Sequence, residues 1–203
     1  MIDPVMKKAA IDLACEITNK CGDVMHGVSH LESVLNYSNM IVKSYPEADL
    51  DILEISVWWH DVGRLYLDRG HALKSMEMAI ESLTKIGFDA SDVEKISIAI
   101  ESHSNSSEKK PSTIEGIILK DADKLDFLTS LRWQIGMDND RTKEIEIGID
   151  KIPLILTDIL ILPESKEIYA ELFTNLVNYL KKSDNPFINK YKPTIAKRWQ
   201  VNI

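Results

Sequence analysis

An apolar helix ending in two ionisable residues constrains this chain more than any other feature. Ile52-Leu53-Glu54-Ile55-Ser56-Val57-Trp58-Trp59 is apolar nearly all the way round a helix, and a helix of that kind belongs in a core. His60 and Asp61 follow directly. Burying an imidazole and a carboxylate is costly, so both must be paired, hydrogen-bonded or bound to a cation. Gly63 then offers a helix stop. Whatever the fold, it must bring partners to His60 and Asp61 from elsewhere in the chain.

The rest of the chain reads as helix. Residues 4–20 carry Val5, Ala9, Leu13 and Ile17 at helical spacing. Ser29-His30-Leu31-Glu32 fits a capping box with Ser29 as N-cap, followed by a stripe of Leu31, Val34, Leu35, Ile41 and Val42 that Pro46 ends. Residues 71–86 place Ala72, Met76, Ala79, Ile80 and Leu83 on one face, with Gly87 just past the end. Ser91 to Glu94 and Ser112 to Glu115 read as two further boxes. The second opens a long helix carrying Ile114, Ile117, Ile118, Ala122, Leu125, Leu128 and Leu131, and a polar loop over 104–111 separates the two. Residues 166–182 form another helix, through Ile168, Leu172, Phe173, Leu176 and Leu180, while Pro153-Leu154-Ile155-Leu156 reads as a strand on local pattern alone. The expectation is an all-α protein: a core over 1–135 and a helical extension over 136–203, packed together as one domain. Three roles stand open for the extension: covering a pocket, forming a homodimer contact, or completing the core.

Composition narrows the function classes. With 44% apolar and 28% charged residues, the 203-residue chain can build a sizeable core. A formal net charge of −8 argues against non-specific nucleic-acid binding, which needs a basic face. An anionic substrate stays open, because a bound cation can outweigh the global field locally. Cys15 and Cys21 match no zinc spacing and read as reduced thiols of a cytoplasmic protein. No basic-then-apolar leader is seen, and the longest apolar stretch, 153–162, is too short for a bilayer and contains Asp158. No membrane partner is expected.

The five histidines are His26, His30, His60, His71 and His103. Four fall at or near predicted helix ends and His26 just before one, which is where elements of a helical fold converge on a pocket. Asp121-Ala122-Asp123 adds carboxylates within a predicted buried helix, and two residues two positions apart cannot share one helical face. One of the two points into a site. At the first turn of a helix, His30 meets the positive end of the dipole, which favours the neutral imidazole that ligates metals. Imidazole and carboxylate together suit Mn, Fe, Ni or Zn, and Mg where waters complete the shell.

These residues carry a resemblance. His30 within His26-Gly27-Val28-Ser29-His30-Leu31-Glu32, His60-Asp61-Val62-Gly63, and Asp123 within Lys120-Asp121-Ala122-Asp123-Lys124-Leu125-Asp126 resemble, in that order, the HD superfamily of metal-dependent phosphohydrolases, over roughly residues 20–135. The resemblance implies an all-α HD-domain bundle in which His30, His60, Asp61 and Asp123 hold one divalent ion. His71 and His103 match positions where some members hold a second metal or contact the substrate phosphate. Some members place a catalytic Glu a few residues after the pair; Val62-Gly63-Arg64-Leu65 has Arg64 near that place, with Asp68 as a substitute acid further on. Arg64 and Lys124 are natural phosphate partners. The implied activity is hydrolysis of a phosphate ester or phosphoanhydride in a small phosphorylated substrate, with nucleotides the expected class. Two rivals remain: a module that binds a nucleotide or metal without turnover, and a di-iron oxygenase on the same scaffold.

Overall fold

The computed structural model describes residues 2–203 apart from Ser106 and Glu108, two positions of the expected 104–111 loop. Ten α-helices and no strand are found among the described residues: α1 Pro4–Cys21, α2 Val28–Ile41, α3 Leu50–Trp59, α4 His71–Ile86, α5 Ala90–Ser102, α6 Ile114–Asp126, α7 Ser130–Asp138, α8 Thr142–Leu154, α9 Pro163–Lys182 and α10 Pro186–Trp199. The chain divides into two compact units, Met1–Asp123 and Lys124–Ile203. No described helix is long and apolar enough to cross a membrane.

The first unit is built round α3. Asp49 caps its N-terminus by accepting the Asp51 and Ile52 amides, and seven of its ten residues are buried. It packs against α1, α2 and α5. Ile52, Ile55, Trp58 and Trp59 join Leu31, Leu83, Val93, Ile96 and Ile100 in one apolar cluster. Each fully buried Ile or Leu contributes roughly 1.5–3 kcal/mol, and such contributions hold the polar end of α3 inside. Trp59 completes its burial by donating Nε1–H to the Ala10 carbonyl of α1, 3.1 Å away. That contact explains why α1 buries Ala10, Ala14 and Thr18, one residue off the expected Ala9, Leu13 and Ile17 stripe. Small side chains let α1 come close, and Val5 is left 77% exposed.

Several local expectations are corrected. The cap of α2 is Gly27, not Ser29, so the helix starts two residues earlier and keeps His30 in its first turn. Asp89 precedes α5, and Ser91 lies inside it. At α6 the hydroxyl of Thr113 accepts the Gly116 amide (3.1 Å), while the Glu115 carboxylate accepts the Asp49 amide instead of reaching back. Gly63 is not a helix stop. It lies in the 3-10 turn Val62–Leu65 that follows α3, and a Cβ there would collide with the His71 carbonyl and stand 2.6 Å from the Ser75 amide nitrogen. Close approach to α4, which packs on this turn, is what requires glycine. Gly87 does end α4 in the left-handed region, as expected.

The second unit holds the remaining corrections. The helix expected to run to Leu131 ends at Asp126, and Thr129 caps a new helix by accepting the Arg132 amide. The expected strand at 153–156 is the end of α8 and a π-helical turn, Ile155–Ile159. Here α7, α8, α9 and α10 pack together. Trp199 donates to the Ile149 carbonyl (2.9 Å) and meets Trp133 edge-on. Arg132 forms a buried ion pair with Asp126 at 2.7 Å, which gives Asp126 a structural role.

Candidate metal centre

Helix ends bring the expected site side chains of the first unit to one place. His30 comes from the first turn of α2, His60 caps the C-terminus of α3 and Asp61 follows it. His71 opens α4, His103 caps α5 and Asp123 lies in the last turn of α6. All six are buried. His30 Nε2 lies 3.3 Å from His60 Nε2, 3.4 Å from an Asp123 oxygen and 3.7 Å from Asp61 Oδ2. His60 Nε2 lies 3.7 Å from Asp61 Oδ2 and 3.9 Å from Asp123. On the far oxygen of Asp61, Oδ1, His71 Nε2 approaches to 3.3 Å and His103 Nε2 to 3.7 Å.

Backbone carbonyls decide the tautomers. The Nδ1–H groups of His60, His71 and His103 donate to the carbonyls of Val57 (2.7 Å), Asp68 (2.9 Å) and Ile100 (2.6 Å). Each therefore turns an Nε2 lone pair inward, the arrangement that orients a metal-ligating histidine. Asp68 contributes only this carbonyl; its side chain is exposed and does not enter the site as an acid. Lone pairs facing carboxylate oxygens repel one another unless a proton or a cation lies between them.

The residues fit a divalent ion on three observations. His30, His60 and Asp123 form one group able to hold an ion, and His60, Asp61 and His103 another. Four donors about 2.1 Å from an ion at tetrahedral angles stand about 3.4 Å apart, close to the 3.3–3.9 Å that His30 and His60 keep to one another, to Asp61 and to Asp123. Finally, Asp61 Oδ1 is buried with no hydrogen-bond partner. At 3.7 Å, with its hydrogen on Nδ1, His103 cannot supply one. An orphaned buried carboxylate oxygen is costly, and a cation on the same carboxylate offsets that cost.

Arg64, from the turn after Asp61, reaches into this cluster. Its Nε donates to Asp61 Oδ2 at 2.7 Å and its Nη2 to His71 Nε2 at 3.3 Å. Burial pushes the His60 imidazole down to about 3, against the pull of Asp61. Burial also lowers His71. For Asp61, burial opposes the charge, but His60 and Arg64 outweigh it and hold the carboxyl well below its ordinary range. With His60 neutral near pH 7, the guanidinium is the cation that keeps Asp61 ionised.

Other expected residues lie outside the two ligand groups. Asp121 is fully buried but belongs to neither, so Asp123 is the carboxylate of that pair placed with the histidines. His26 Nδ1 pairs with Asp23 at 2.8 Å and its ring meets His30 edge-on. Asp23 was not singled out from the sequence, although its three-residue spacing from His26 was there to read. Lys124 follows Asp123 in α6 and is half-buried.

Buried imidazoles and carboxylates gathered at helix ends define an all-α scaffold with a cluster that could hold a metal ion. The chain belongs to the HD domain family, whose profile matches residues 27–128. Solved structures resemble it over nearly their whole length. One, described as a predicted HD superfamily hydrolase from an uncultured Thermotogales bacterium, is 22% identical with a TM-score of 0.64, covering 91% of this chain and 92% of its own. Another, a structural-genomics target from Lactobacillus plantarum, is 18% identical with a TM-score of 0.68 and full coverage of both chains. At these identities the likeness carries the fold. No curated protein matches the chain.

Proposed function

We propose that this protein is a metal-dependent phosphohydrolase that cleaves a phosphate ester or phosphoanhydride in a small phosphorylated substrate of the nucleotide class. One observation carries the reading: the Nε2 atoms of His30 and His60 lie 3.3–3.9 Å from one another and from oxygens of Asp61 and Asp123 inside a core, a donor set that suits a divalent cation. His30, His60, Asp61 and Asp123 would hold one divalent ion. Bound there, the ion supplies Lewis acidity toward a phosphoryl oxygen and lowers the pKa of water.

The chain's own residues do the rest. Val57 and Asp61 orient and charge the ligand set through the contacts above. His103 offers a bare Nε2 that can take a proton from the attacking water, since its other nitrogen is committed to Ile100. Arg64 contributes positive charge next to Asp61 against the phosphoryl group. Lys124 is kept as a phosphate partner on sequence grounds. The nucleotide class rests on the family resemblance. Free Cys15 and Cys21 support a cytoplasmic setting.

Elemental analysis of protein purified without added metal, paired with a nucleotide and phosphoester panel, tests this. About one divalent ion per chain and release of phosphate or pyrophosphate are expected, and His60→Ala or Asp61→Ala should lose both while staying folded. Unchanged metal content in both variants would refute the ligand assignment. Oxygen consumption with bound iron, in place of phosphate release, would favour the oxygenase.

A further inference from the structure

We infer that Arg64 stands in for a second metal ion and restricts this centre to one. The inference rests on the proposed metal centre and concerns how many ions it takes.

His60 has one lone pair to give. Its Nδ1–H is held by Val57, so only Nε2 can bind an ion. Both candidate groups need that atom, so two ions cannot each use His60. An ion held by His30, His60, Asp61 Oδ2 and Asp123 leaves His71, His103 and Asp61 Oδ1 as donors for another. Those three are already near one another: His71 and His103 lie 3.3 and 3.7 Å from Oδ1, with ring centroids 5.5 Å apart.

The guanidinium breaks up that second set. Its Nη2 donates to the single lone pair of His71, whose other nitrogen is bound to the Asp68 carbonyl. Two protein donors remain, His103 Nε2 and Asp61 Oδ1, fewer than the three that hold a divalent ion in a typical catalytic site. Arg64 also places a fixed positive charge against the carboxylate both ions would share, which repels a further dication. The Nε bond to Oδ2 settles which Asp61 oxygen faces His30 and His60. Arg64 is therefore a positioning residue for Asp61 and a blocking cation at His71. An arginine cannot lose its proton in a protein, so the block does not relax with pH.

The test is metal stoichiometry. Full-length wild type, Arg64→Gln, Arg64→Lys and Arg64→Gln/His103→Ala are equilibrated with excess Mn(II), freed of loose ion by gel filtration and analysed for Mn per chain. Wild type should hold one ion. Arg64→Gln should hold two, with an exchange-coupled Mn(II) signal in electron paramagnetic resonance that wild type lacks. Arg64→Lys, which keeps a cation, should stay at one, and removing His103 from the Gln variant should return it to one. Two ions in wild type, or one in a folded Arg64→Gln, would overturn the inference and leave the metal centre standing. No ion in either would sink the metal centre itself, and this inference with it. If Arg64→Gln fails to fold, the wild-type and Lys counts still decide, since two ions in either overturns the inference.

Discussion

Replacing Gly63 with alanine tests how the chain builds the wall of the site. A Cβ at this position would collide with the His71 carbonyl oxygen and lie 2.6 Å from the Ser75 amide nitrogen and 2.9 Å from Ser75 Oγ. Two of the three are backbone atoms, so no side-chain rotation relieves the clash. Ordinary contact begins near 3.5 Å, so the first turns of α4 must recede from the Val62–Leu65 turn by about 1 Å. Overpacking of that kind costs about 1–3 kcal/mol. The Gly63 amide also donates to Ser75 Oγ at 2.9 Å, and losing that buried bond adds about 1 kcal/mol. Alanine gains back roughly 0.4–1 kcal/mol from a less flexible unfolded chain. A net loss of about 2–3 kcal/mol follows, which for a chain of this length lowers Tm by roughly 5–10 °C. Thermal and urea unfolding measure it directly. Ser75→Ala is the control: it removes the acceptor without the clash, so it should cost less than Gly63→Ala. Because His71 sits at the point of collision, turnover should also fall, as a 1 Å misplacement can cost about 100-fold. A Gly63→Ala protein within about 0.5 kcal/mol of wild type would refute the close-approach reading.

Two more outcomes join those on His60, Asp61 and Arg64. The folded His60 imidazole accepts a proton only near pH 3, whereas unfolded histidine does so near 6.5, so between those values unfolding takes up a proton. Metal-free protein should thus lose about 2–3 kcal/mol between pH 7 and pH 4.5 from this group alone; urea midpoints in chelator that stay level over that range would contradict it. In the second unit, Arg132→Met leaves the Asp126 carboxylate buried without its ion-pair partner and should cost about 3 kcal/mol, with Asp126→Asn/Arg132→Met recovering part of the loss. Equal destabilisation in single and double variants would show that the pair is not what is lost.

Much of the site was legible because its residues break local rules. An imidazole and a carboxylate after a fully apolar helix demand partners, and the helix-end placement of His30, His71 and His103 suggested where those partners lie. The helices of α1 to α6 followed from periodicity, which is a local property. Capping boxes were less dependable: Ser29, Ser91 and Ser112 all fit the spacing, yet Gly27, Asp89 and Thr113 stand at the helix starts. Near a helix start several polar residues compete, and packing two or three residues away decides which is used. Pro153-Leu154-Ile155-Leu156 looked like a strand because a short apolar run has no period of its own.

From residue order alone came the helical class, the buried His60-Asp61 pair and the set of residues suited to a cation. Each follows from chemistry carried within a few positions of the chain. Only the folded molecule decided that α1 buries Ala10 and Ala14 against Trp59, that Gly63 serves the approach of α4, and that Arg64 clasps Asp61 and His71. Those are meetings between helices, and which atom of one faces which atom of another depends on the relative rotation and depth of both, quantities that no window of sequence contains.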